Sequence, residues 1–129
     1  DVIVNRFDHR SPGTTHGHHT SSAMLSVESF ELANNPTIFP EQLQFVKPWQ
    51  TKRQFFNTSW WFYGTIEKFN AADKKNLIAL QTGVYYAGLG KSNQEIAALS
   101  RSRHQSQGFG STGARGEETE YLEFINGDA

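Results

Sequence analysis

Short β-branched runs alternate along this chain with stretches that repeat at helical spacing. Val2 to Phe7 has the pattern of a buried strand, and the polar Asp8-His9-Arg10-Ser11-Pro12-Gly13 after it reads as a loop. From about His18 to Ala33, the positions Ala23, Val27, Phe30 and Leu32 to Ala33 form an apolar stripe that predicts a helix, stopped by Asn34-Asn35-Pro36. Pro40-Glu41-Gln42-Leu43 predicts a short helical turn with proline at its first position, before Lys47-Pro48 breaks the chain. Gln54 to Asn57 reads as a second buried strand running into an aromatic loop that ends at Tyr63. Leu77 to Leu80 is a third strand candidate, and Gly83 to Gly90 is a loop. Ser92-Asn93-Gln94-Glu95 matches a capping box, in which serine oxygen and glutamate carboxylate each satisfy an orphan amide, so a helix should run from Ser92 to about His104. The glycine-rich segment 108–118 reads as a flexible loop, and Tyr121 to Ile125 as a final strand.

Strands alternating with helices predict an α/β fold, here a Rossmann-like three-layer α/β/α arrangement with a mainly parallel sheet. Asp1-Val2-Ile3-Val4-Asn5 begins abruptly inside a strand pattern, so the expectation is a fragment. A strand left without neighbours is a template for pairing with another chain, which admits a homo-oligomer.

Composition narrows the function. With 12 Lys and Arg against 13 Asp and Glu, the formal charge of -1 lacks the basic excess that a nucleic-acid footprint needs. Zero cysteines exclude disulfides and thiolate metal sites, so a metal here would be held by nitrogen and oxygen. No apolar run approaches the roughly 20 residues of a membrane span, and no targeting signal is visible, which leaves the compartment unassigned. The glycine-rich loop follows a helix instead of a strand and has no Gly-Lys-Ser/Thr ending, so it is not a phosphate loop.

Chemistry concentrates in one place. Four of the five histidines are His9, His16, His18 and His19, three of them in Thr15-His16-Gly17-His18-His19-Thr20 at a strand-to-helix junction. Imidazole is the commonest protein metal ligand and titrates near neutral pH, so the cluster points to metal-assisted acid/base work. His16 and His19 are spaced i, i+3, which lets both rings face one pocket from the first turn of a helix. Two imidazoles are too few for catalytic zinc, which takes three protein ligands and a water; Asp8, His9 and His18 are candidates that spacing does not select. Among the aromatics, Trp60 or Trp61 at a strand end suits the wall of a sugar site. Arg10, on the strand-end loop, suits an acidic or phosphate-bearing part of a substrate.

These residues resemble the LmbE-like, PIG-L-type zinc-dependent deacetylases, which act on N-acetylglucosamine-containing substrates. That family has a strand ending near a His-Pro-Asp-His sequence that opens a helix; here Val2-Ile3-Val4 is followed by Thr15-His16-Gly17-His18-His19-Thr20-Ser21-Ser22-Ala23. Its helix ending in His-x-Ser-Gln is matched by Ala97-Ala98-Leu99 through His104-Gln105-Ser106-Gln107, and Gln54-Phe55-Phe56-Asn57 fills a strand position between the two. Gly17 and His18 stand where the family has Pro-Asp. The family's Ala-His-Pro-Asp-Asp-Glu motif, which supplies two zinc ligands and the general base, is absent from these residues, so the resemblance places residues 1–129 in the C-terminal part of a single such domain.

The resemblance implies a zinc cofactor, or another divalent metal, and an N-acetylated sugar as substrate. It makes His19 the zinc ligand and His16 the general acid that stabilises the oxyanion and protonates the leaving amine. Arg10 and Trp60 are then substrate-binding, and His18, His104 and Gln107 supporting. Alone, the 129 residues are expected to be inactive and to hold zinc weakly. The alternative reading is a non-catalytic module that binds carbohydrate or metal; a third is a self-sufficient histidine metal site that recruits Asp8, His9 or His18.

Overall fold

A computed structural model describes residues 1–11 and 14–128. Two positions of the expected first loop, Pro12 and Gly13, lie outside the described residues. The chain forms two compact units, one from Asp1 to Ile78 and from Tyr121 onward, the other from Ala79 to Glu120.

In the first unit, β1 (Val2–Asn5), α1 (Gly17–Leu32) and β2 (Arg53–Thr58) make a βαβ unit, with β1 and β2 paired in parallel. The α1 positions Thr20, Ala23, Val27 and Phe30 repeat at i, i+3 and i+4, and Thr20, Ala23 and Phe30 are buried. Polar groups fasten this helix to both strands. Ser26 Oγ donates to Asn5 Oδ1 at 2.7 Å, and Gln54 Nε2 donates to Ser26 Oγ at 2.9 Å. Phe55 and Phe56 are buried on opposite faces of β2, as strand alternation requires. Phe56 meets Phe62 edge to face at 4.8 Å, and Phe55 meets Phe124 at 5.9 Å.

The aromatic stretch departs from the expected loop. Trp60–Tyr63 is a single helical turn, α2, and Ile66–Ala71 is a short helix, α3, capped by Thr65, whose hydroxyl accepts from the Lys68 amide at 3.2 Å. A 3-10 turn at Pro40–Gln44 stands where the proline-led turn is predicted.

The sheet is mixed. Its order is β1-β2-β6-β3, where β3 is Leu77–Gln81 and β6 is Thr119–Gly127, and β6 runs antiparallel to β2. The expectation of a mainly parallel sheet is thereby corrected to a mixed α/β sheet. Parallel pairing needs a crossover that returns the chain to the end where the previous strand began, and β6 enters from the opposite end. β1 also stops at Asn5, two residues before Phe7.

In the second unit, the Gly83 to Gly90 region holds a small hairpin of β4 (Tyr85–Tyr86) and β5 (Lys91–Ser92), leading into α4 (Asn93–Arg101). The capping box at Ser92 and Glu95 is complete. The helix ends at Arg101, short of His104. The glycine-rich loop is pinned to its start: Ser92 Oγ donates to the Ala114 carbonyl at 2.9 Å, and Arg115 Nε to Glu95 Oε2 at 2.9 Å. Gly113 permits this approach, because a Cβ there would lie 2.4 Å from the Gln94 carbonyl.

Candidate functional site

Chain segments that leave parallel strands emerge at the same sheet edge. After β1 the chain reaches Phe7; after β2 it reaches α2 and Trp61. The N-terminus of α1 begins there too. Phe7, Thr14, Thr15, His16, His19 and Trp61 together line a cavity of 430 Å³.

His16 occupies the N-cap of α1 in an extended conformation (φ -64°, ψ 142°), and its side chain makes no capping hydrogen bond. The helix closes on its carbonyl instead, with His19 N–H donating at 2.9 Å and Thr20 N–H at 3.3 Å. The His16 ring is therefore not spent on the helix end. Thr15 Oγ1 and Thr20 Oγ1 lie 3.1 Å apart and tie the residue before the cap to the first turn.

The His19 ring stacks on Phe7, centroids 3.9 Å apart and 7° from parallel. Its centroid is 5.6 Å from that of His16 and 4.1 Å from that of His18, both in edge-on arrangements. Desolvation, then the neighbouring His18 and His16, push the His19 pKa down from its ordinary value. The shift favours the neutral ring, which is the form that offers a lone pair to a metal.

The other expected site residues are dispersed. His18 is exposed and reaches the site only through its ring's contacts with His16 (5.7 Å) and His19. Arg10, read as a substrate cation, is engaged within the protein: its guanidinium makes two 2.8 Å hydrogen bonds to Glu123 and a third, also 2.8 Å, to Asp8. These partners hold the Arg10 pKa well above the usual arginine value. Burial pushes the Asp8 carboxyl up, but hydrogen bonds from the Arg10 side chain and amide and from Ser11 outweigh it and leave Asp8 below its usual range. His9 Nδ1 is 3.7 Å from Asp8 and makes no hydrogen bond. Trp60 is half exposed and does not line the cavity; Trp61 does. Consecutive residues of a helical turn point about 100° apart, so only one of the pair can face it. His104 and Gln107 are exposed, on the turns after α4 in the second unit.

Among the described residues, no group of three or more His, Asp or Glu side chains is placed to hold a metal ion. The self-sufficient histidine site therefore has no support in this geometry. A second cavity, of 610 Å³, lies within the second unit between α4 and the loop at Ser111 to Ala114; no histidine lines it.

Phe7, Thr14, Thr15 and Glu123 are the residues that sequence reasoning did not single out. Phe7 carried a signal, since it closes the strand pattern just before His9. The chain matches no protein-family model, no curated protein and no solved structure.

Proposed function

We propose that this chain carries part of the active site of a zinc-dependent deacetylase acting on N-acetylglucosamine-type sugars. One observation carries the reading: His16 and His19, at the cap and first turn of α1, share a cavity at the carboxyl edge of the parallel pair β1 and β2. The βαβ unit is also what supports a Rossmann-like relationship for the fold.

The donor set fits zinc in part. His19, stacked on Phe7, would be the ligand this chain gives; the reading requires the remaining donors and a general base from outside these side chains. Zinc, when bound, polarises the acetamide carbonyl and lowers the pKa of its water towards about 7. His16 has the complementary role. Its ring is free of the helix cap and faces the same cavity, so as an imidazolium its N–H can hydrogen-bond the developing oxyanion and then pass its proton to the departing amine nitrogen. Phe7 stacks on the His19 ring, the Thr15–Thr20 contact braces the start of α1, and Trp61 adds an aromatic wall to the cavity.

The test is direct. With the remaining zinc donors and the general base in place, the zinc-loaded protein is expected to release acetate from N-acetylglucosamine glycosides, with loss on chelation and recovery on adding zinc; such a protein that contains zinc but never releases acetate would contradict the reading.

A further inference from the structure

The cavity beside His16 and His19 has a wall chemistry that discriminates among acetylated ligands. No Lys, Arg, Asp or Glu is among the described residues that line it. The flanking cations are engaged elsewhere, Arg6 by Asn57 and Arg10 by Glu123 and Asp8. The Thr hydroxyls are partly engaged as well, Thr14 donating to the Ser11 carbonyl at 2.8 Å and Thr15 paired with Thr20. What the walls offer is two imidazoles and two aromatic rings. Phe7 already gives a face to His19. Trp61 remains: it is 53% exposed, and its ring contact is an edge-to-face one with Phe62 at 4.9 Å, which in turn rests on the buried Phe56. A half-open indole braced from behind is a platform for the apolar C–H face of a sugar ring.

We propose that Trp61 is the specificity-determining residue of this cavity, stacking on a pyranose and so favouring N-acetylated sugars over acyclic N-acetyl compounds. The proposal rests on the deacetylase reading only for the choice of ligand.

Isotope-labelled protein titrated with methyl N-acetylglucosaminide and with N-acetylethanolamine tests it, following the indole N–H signals of Trp49, Trp60 and Trp61, the chain's 3 tryptophans. The Trp61 signal should move on adding the sugar. Trp61→Ala should weaken its binding about three- to tenfold and Trp61→Phe roughly twofold, while Trp60→Ala leaves it unchanged. The acyclic amide should bind more weakly than the glycoside. Absence of saturable sugar binding, a Trp60→Ala loss equal to that of Trp61→Ala, or binding of the acyclic amide as tight as that of the glycoside would overturn the proposal. Where Trp61→Ala melts early, Trp61→Phe and the ligand order carry the test. Zinc content and acetate release on the same samples separate the two claims: a Trp61 that titrates in a protein without hydrolysis removes the deacetylase reading alone, and hydrolysis with unchanged KM in Trp61→Ala removes the platform alone.

Discussion

Arg10 and Glu123, 113 positions apart, are joined by two parallel 2.8 Å hydrogen bonds. The pair ties the loop between β1 and the histidines to the middle of β6, and the planar guanidinium matches the carboxylate in a way an ammonium cannot. Because the Arg10 side chain is 49% exposed, solvent screening reduces the pair's worth. Arg10→Ala is expected to cost about 1 kcal/mol, and Arg10→Lys nearly as much. Denaturant melts of Arg10→Ala, Glu123→Ala and the double variant would show the coupling; strictly additive losses would mean the two side chains do not support each other.

Two glycines should respond oppositely to alanine. At Gly17, in the first turn of α1, an added Cβ meets nothing within 4 Å and φ is not positive, so Gly17→Ala should stabilise by about 0.5 to 1 kcal/mol through helix propensity. At Gly113 the same Cβ would lie 2.4 Å from Gln94 and Glu95 backbone atoms. Gly113→Ala must push the loop off α4 and should cost about 1 to 3 kcal/mol. Thermal melts of both variants decide, and a Gly113→Ala protein as stable as the parent would refute the close contact.

Acid should weaken the second unit at its helix start. Hydrogen bonds from Arg115 and then from the Ser92 amide hold the Glu95 carboxyl below its ordinary value of 4.5. A carboxyl with a depressed native pKa adds stability that is fully present above its unfolded value and is lost as pH falls through the folded value. Amide protection in α4, the exchange rate corrected for the intrinsic rate at each pH, should therefore fall below about pH 4.5, and Glu95→Gln should remove part of that dependence. Ser92→Ala, which deletes the cap and leaves the Ala114 carbonyl without its donor, should cost about 1 kcal/mol at any pH. Exchange rates in Glu95→Gln that track the parent through the acid range would contradict this.

What could be read from the sequence was local. The capping box announced α4, the 3.6-residue stripe announced α1, and the i, i+3 spacing of His16 and His19 at a strand end placed both on one cavity. What could not be read was long-range. Nothing in the alternation of Tyr121 to Ile125 tells whether a strand runs with or against its neighbour, which is why β6 was expected in a mainly parallel sheet. Glu123 is one more surface glutamate until Arg10 meets it. At 60–71, aromatic residues with strand propensity lie in helical turns: the Thr65 cap accounts for α3, whereas Trp60–Tyr63 turn without a side-chain cap. The choice between Trp60 and Trp61 depends on the rotation of a four-residue turn, which composition does not fix.

The central claim gives His16 and His19 different work within one cavity, and measuring bound zinc and turnover together in two single variants tests it most directly. In the protein with the remaining zinc donors and the general base in place, His19→Ala should lose zinc and acetate release together. His16→Ala should keep its zinc and lose turnover by about 10²- to 10⁴-fold, the usual contribution of a general acid. If His16→Ala sheds zinc as readily as His19→Ala, or turns over at a near-normal rate, the division of roles is contradicted and the cluster is a shared metal-binding loop.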